Sequence, residues 1–345
     1  MQYKKFFALT AIVMIVLNGC SSQKTENLSE ISFDGLDSIE REEINYMLPT
    51  RFASDGKDIF FIDSPTGMVY RFDLSTKEAT INCNNPVCSH DSDSCTAYAE
   101  RDISGIRREN DEVYLLGNQI YKISRNQKEE IGKGHYGTSN SKIMFGGYIA
   151  YPEEESIIVE NIESGNIVQR FEDVVPYTQG NFYYKGALWY ITEDLELVRL
   201  DIKAGEKRVV EEIGVTRASV YEDFIYYIQV DQQTGDNQLI RYSEGEDSKT
   251  VVEDNVFYYN IKGDTLYYTT WPDRDFYYRP LYESSGENEA VQLFKGLDLL
   301  IWSFPEYDDL LVNLSEDYYT YYILDTETNT IDYDHPLKVE QELTQ

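Results

Sequence analysis

A short phrase returns seven times along this chain of 345 residues, and the repeat leaves few architectures open. It reads Ile59-Phe60-Phe61-Ile62, Val113-Tyr114-Leu115-Leu116, Tyr148-Ile149-Ala150-Tyr151 and Ala187-Leu188-Trp189-Tyr190. It continues as Phe224-Ile225-Tyr226-Tyr227, Thr265-Leu266-Tyr267-Tyr268 and Leu310-Leu311-Val312-Asn313. Between Phe60, Val113, Ile149, Leu188, Ile225, Leu266 and Leu311 the steps are 53, 36, 39, 37, 41 and 45. Tight turns such as Ser54-Asp55-Gly56-Lys57 precede the phrase. A second phrase follows most copies: Val69-Tyr70-Arg71-Phe72-Asp73, Leu197-Val198-Arg199-Leu200-Asp201, Leu239-Ile240-Arg241-Tyr242 and Tyr322-Ile323-Leu324-Asp325, each running into a Gly-, Asn-, Asp- or Ser-rich turn and a further strand. Several short strands per unit of about 40 residues are the pattern of propeller blades. We therefore expect an all-β chain folded as a seven-bladed β-propeller. Six or eight blades are the alternatives, because the segment near Ile143 and the final repeat match least. A pair of β-sandwiches would leave the in-register return of the phrase unexplained.

Tyrosine supplies 30 residues, beside 15 Phe and 3 Trp. Tyr suits pleated, half-buried surfaces, with its ring in a core and its hydroxyl on a partner. The Tyr-Tyr steps at 183–184, 226–227, 258–259, 267–268, 277–278, 318–319 and 321–322 place one ring on each face of a strand. Both faces of an inner blade are covered, so most of these rings are expected to be structural.

The N-terminus carries Lys4 and Lys5, an apolar run over positions 6–17, and Leu17-Asn18-Gly19-Cys20. This is the layout of a secretory signal, too short for the ~20 residues of a spanning helix. The Leu-x-Gly-Cys ending resembles the lipobox of bacterial lipoproteins. That resemblance implies lipidation at Cys20 and a chain held on the extracytoplasmic face of the cell membrane. The expected organisation is a signal peptide over 1–19, the lipidated Cys and a flexible tether over 20–45, the propeller over 46–336 and a tail over 337–345. A formal charge of −32 repels phosphate backbones, so nucleic acid is not an expected partner.

The step of 53 exceeds the others by about ten residues, and the excess coincides with Cys83-Asn84-Asn85-Pro86-Val87-Cys88-Ser89-His90-Asp91-Ser92-Asp93-Ser94-Cys95. This C-x4-C-x-H-x4-C loop follows an expected outer strand over 78–82. A loop with so little core needs a crosslink. Cys83, Cys88, His90 and Cys95 are the Cys3His donor set of a closed structural zinc site. A disulfide between two of the cysteines, with the third free or redox-active, is the other reading. Pro86 and the two asparagines favour a bend in either case.

The blades, with a Tyr-rich strand, then an apolar-Tyr-x-apolar-Asp strand, then a turn, loosely resemble propellers of the low-density-lipoprotein-receptor-like and Tol-B-like kinds. Together with the Cys/His loop they resemble the propeller lipoproteins of Gram-positive gut anaerobes, a group of unassigned function. The resemblance covers about Tyr46 to His335. The expected function is that of a binding or assembly module without catalysis of its own, anchored in the membrane by its N-terminal lipid and engaging an envelope protein or glycan.

No G-x-S-x-G elbow, H-E-x-x-H pair, phosphate-cradling loop or EF-hand loop occurs. His135 and His335 lie in turn-like surroundings and are expected at the surface. Trp271, Arg274 and Trp302 are the candidate ligand-binding residues, the first two in a Trp271-Pro272-Asp273-Arg274-Asp275 loop. Two alternatives stay open. One is a glycan lyase or hydrolase with acids and tyrosines at a channel mouth, and the other is a metal or redox sensor working through the Cys/His loop.

Overall fold

The computed structural model describes residues 52–63, 67–92, 94–99, 105–109, 112–135, 142–177, 180–270, 278–285, 291–297, 300–304, 307–313, 320–328 and 330–338. Every regular element among them is a strand, and the 28 strands form seven four-stranded antiparallel sheets. Each sheet takes four strands consecutive in sequence, over residues 52–81, 105–133, 143–172, 182–211, 215–254, 256–297 and 300–338. The seven-bladed expectation holds, including the two blades whose repeats matched least. The recurring phrase is the second strand of every blade, and the Val-Tyr-Arg-Phe-Asp type of phrase is the third.

Burial orders the strands within a blade. The first strands Phe52–Ser54, Ile143–Phe145 and Phe182–Tyr184 are buried throughout. The fourth strands Glu78–Ile81 and Glu206–Glu211 are largely exposed. The first strand therefore lies towards the axis and the fourth on the rim. Turns joining first to second and third to fourth strands lie on one disc face, the turn face. The passages from each fourth strand to the next blade's first strand lie on the other, the crossover face.

Side chains from alternate positions meet between the blades. Phe60, Val69, Ile106, Val113 and Leu115 pack blade 1 on blade 2, and Leu116, Ile149, Tyr151 and Ile158 pack blade 2 on blade 3. Phe145 stacks on Tyr183 at 4.4 Å between blades 3 and 4. Trp189, Val220 and Tyr227 join blades 4 and 5, Ile228, Tyr259 and Tyr268 join 5 and 6, and Tyr267 with Leu310 and Leu324 join 6 and 7. Burying each such side chain is worth roughly 1.5–3 kcal/mol. Tyr183, Tyr184, Tyr227, Tyr259, Tyr267, Tyr268 and Tyr321 are all buried, as the paired-tyrosine reading expected. Among the described residues no strand is shared between the first and last blades. The ring closes through side chains, with Phe52 edge-on to Tyr321 at 4.7 Å.

One irregularity recurs. The pairing of third with fourth strand slips at Ile120/Tyr121 in blade 2, Leu197/Val198 in blade 4 and Leu239/Ile240 in blade 5. These are equivalent steps, and each bulge re-aims the outer strand. Blade 1 pairs without a slip from Asp73↔Glu78 to Tyr70↔Ile81, and the Cys/His loop enters at the next residue, Val69.

Candidate metal centre

The chain leaves the outer strand of blade 1 at Asn82, whose N–H donates to the Val69 carbonyl (2.9 Å). It returns at Ala97, whose carbonyl accepts from the Val69 N–H (2.7 Å), and Tyr98 then bridges Met68. Residues 83–96 are thus an excursion inserted where other blades carry a bulge. Thr96 closes its neck by donating to the Asn82 carbonyl at 2.7 Å.

Inside the excursion, Asn85-Pro86-Val87-Cys88 forms a turn with the Cys88 N–H on the Asn85 carbonyl (3.2 Å), and the Asn85 side chain accepts from the Val87 N–H. Asn and Pro at the first two positions are what such a turn favours. His90 adopts a left-handed backbone (φ 58°), and its Nδ1 lies 3.2 Å from Cys95 Sγ. One ligand atom from each of Cys83, Cys88, His90 and Cys95 falls in a group with all members within 4.8 Å of one another. Tetrahedral zinc, with Zn–S of about 2.3 Å, would hold its sulfurs roughly 3.8 Å apart, so the donor set fits that ion.

The surroundings suit thiolates. The Ala97 N–H donates to Cys95 Sγ at 3.3 Å. Burial pushes the Cys95 thiol up to about 11, so it gives up its proton only to something that replaces the charge. Burial acts to raise Cys83 too, but the Asn85 N–H and the neighbouring Cys95, Thr96 and Cys88 outweigh it and hold that thiol below its usual value. A cation entering here displaces protons from sulfur. Cys83, Cys88 and Cys95 are free thiols in this structure.

The excursion is latched to blade 2. Asn82 is fully buried; its amide donates to the Ser124 carbonyl (3.1 Å) and accepts from the Asn126 N–H (2.8 Å). Lys128 reaches the Tyr98 carbonyl at 2.6 Å. On the turn face Arg125 grips the buried Asp58 with Nε and Nη2 at 2.9 and 2.6 Å, and Nη2 also meets Asp73 at 2.7 Å. These contacts line an open groove of about 780 Å³ whose only guanidinium is already spent on carboxylates.

Other expected sites resolve differently. Trp271 and Arg274 lie outside the described residues, as does Cys20. Trp302 sits in the inner strand Leu300–Phe304, paired with Leu311. His335 is in the last strand, Thr330–Lys338. His135 departs from expectation: it is only 27% exposed, stacks on Tyr151 at 3.9 Å and has Nε2 3.1 Å from Glu160. The end of blade 2 folds onto blade 3 there, which a turn-like sequence does not reveal. The phenols raised most, among them Tyr114, Tyr151, Tyr190, Tyr227 and Tyr259, owe it first to burial between blades, the signature of core rings. Asn82 and Arg125 were not anticipated, since an Asn beside a Cys and an Arg in a turn carry no local signal.

No protein-family model matches this sequence, and no curated protein is significantly similar to it. Solved structures do share its fold. One is PorZ, an essential surface component of the type IX secretion system of Porphyromonas gingivalis. It is 11% identical, over 81% of this chain and 38% of that one, with a TM-score of 0.52. Another is the extracellular domain of a proposed one-component system of B. thetaiotaomicron, 11% identical over 79% of this chain and 42% of that one, with a TM-score of 0.50. The oligogalacturonate lyase of Vibrio parahaemolyticus is 15% identical over 80% and 87%, also at 0.50. The chain spans about two fifths of the length of the first two. At such identity the likeness is one of fold. The fold is a β-propeller.

Proposed function

We propose that this chain is a lipid-anchored, extracytoplasmic binding or assembly module. Its crossover face engages an envelope protein or glycan, and zinc held by Cys83, Cys88, His90 and Cys95 fixes the knuckle on that face. Four protein ligands leave no open position on the ion, so its contribution is to the folded shape of the loop.

The carrying observation is where exposed apolar side chains fall. Val87 (87% exposed), Tyr177 and Ile213 stand on the passages from blade 1 to 2, 3 to 4 and 4 to 5. Ile167, Val209, Val251, Val252 and Tyr333 are on rim strands, and none among the described residues is on the turn face. Of the two disc faces only the crossover face carries exposed apolar groups among the described residues, which favours it as the contact surface. The strands flanking Trp271 and Arg274 end on the same face, at Thr270 and Tyr278. Two propellers of like fold are a surface component and an extracellular domain, which supports the setting.

Photo-crosslinkers placed at Val87 and, on the opposite face, at Lys77 test the reading in intact cells. A discrete envelope adduct from position 87 and none from 77 is expected. Equal labelling from both, or release of the wild-type chain from membranes like that of Cys20→Ala, contradicts it.

A further inference from the structure

The inner wall of the ring is charged in the opposite sense to the rest of the molecule. The whole chain has 62 acidic and 30 basic residues. Its seven inner strands carry Arg107, Arg108, Arg217 and Lys262 against a single acid, Glu109. Burial alone would thin out both signs.

Arg107 is the decisive residue. It sits mid-strand in Gly105–Glu109 and is only 7% exposed. Among the described residues its side chain has no hydrogen-bond or ion-pair partner, while its main chain pairs with the strand of Tyr114. Its strand neighbour Ile106 packs against blade 1, so Arg107 emerges on the other side, towards blade 3. Its positive charge is felt by Tyr190 on the second strand of blade 4, where it works against the burial that raises the phenol. Blade 3 stands between those two blades and presents the apolar inner strand Ile143-Met144-Phe145. Arg107 lies on the innermost strand of blade 2, which borders the central channel.

A guanidinium at a site this little exposed, with no side-chain partner among the described residues, is incompletely compensated. An anion entering from solution would supply the missing counter-charge. Arg217 adds a second cation on the wall, stacked 4.6 and 4.1 Å from Phe257 and Tyr258, with one N–H on the Phe257 carbonyl (2.9 Å) and a buried Nε lacking a partner.

We propose that the central channel is a binding site for a small carboxylate anion, with Arg107 as its principal anchor. A planar carboxylate accepts two parallel N–H groups from a guanidinium, and the apolar wall of blade 3 strengthens the pair by excluding water. The site is separate from the metal knuckle and from the crossover-face partner, and stands whether or not those readings hold.

Calorimetric titration of the full-length chain in detergent at low salt tests it, with acetate and D-glucuronate as probes. D-glucose is the neutral counterpart and inorganic phosphate the tetrahedral one. Both carboxylates are expected to bind and glucose not to. Arg107→Met should weaken carboxylate binding by at least about 10-fold, while its melting temperature stays level or rises because an unpaired charge is removed. Arg107→Lys, which keeps the charge and loses the fork, should fall between. Cys88→Ser should bind as wild type does. Absence of carboxylate binding at about 10 mM overturns the proposal, as does Arg107→Met or Arg107→Lys binding as tightly as wild type. Tighter binding of phosphate than of either carboxylate overturns the ligand class.

Discussion

Removing the Asn82 side chain should loosen blade 1 from blade 2 at the neck of the knuckle. Asn82→Ala deletes the donor to the Ser124 carbonyl and the acceptor for the Asn126 N–H. Asn82 is fully buried, so water cannot readily replace either bond. Each orphaned backbone group costs about 1–3 kcal/mol, and the two together about 2–4 once partial relaxation is allowed. A cooperative unit of about 290 residues has an unfolding entropy near 0.6 kcal/mol/K, so the melting temperature should drop by about 3–7 °C. Differential scanning calorimetry on the full-length chain reads this directly. Val87→Ala, at an exposed site in the same loop, is the control and should leave melting unchanged. Limited proteolysis should show faster cutting within 83–96 in Asn82→Ala alone. Melting within about 1 °C of wild type would refute the latch, because two part-buried orphans should cost more than that.

Two other consequences follow from single residues. Lys142 is buried, bonded to the carbonyls of Gly117 and His135, and burial lowers its ammonium to about 8. The unfolded chain then holds the proton more tightly, so stability should rise with pH above 8. The gap between wild type and Lys142→Met should shift in favour of wild type by about 2 kcal/mol from pH 7 to 10, and parallel pH profiles would rule this out. Tyr321→Ala removes the ring that meets Phe52 where the first and last blades join, without a shared strand among the described residues. It should destabilise by about 3–5 kcal/mol on denaturant titration, and a loss below about 1 would show that closure rests elsewhere.

Blades were legible in the sequence because each must alternate apolar and polar residues and turn at fixed intervals, and those demands are local. Phe60 and Leu311 mark second strands in the phase the spacing implied. The Cys/His spacing was legible for the same reason, since its four donors lie within thirteen residues. What stayed hidden depends on residues far apart in the chain. Arg125 is an ordinary turn residue until Asp58 faces it from the neighbouring blade, and His135 looks exposed until Tyr151 covers it. Arg107 is one of 30 basic residues, and only ring closure shows that its strand borders the axis. The excursion at Val69 was visible as an overlong step, but its equivalence to the bulges of other blades needed their pairing registers.

Metal content measured with a thiol count, on chain purified without oxygen and without chelator, goes most directly to the centre of this account. One zinc per chain with Cys83, Cys88 and Cys95 unreactive until chelator is added is the predicted result, with the zinc lost in Cys88→Ser. No metal and three titrating thiols, or one thiol beside a disulfide, would contradict a zinc-closed knuckle.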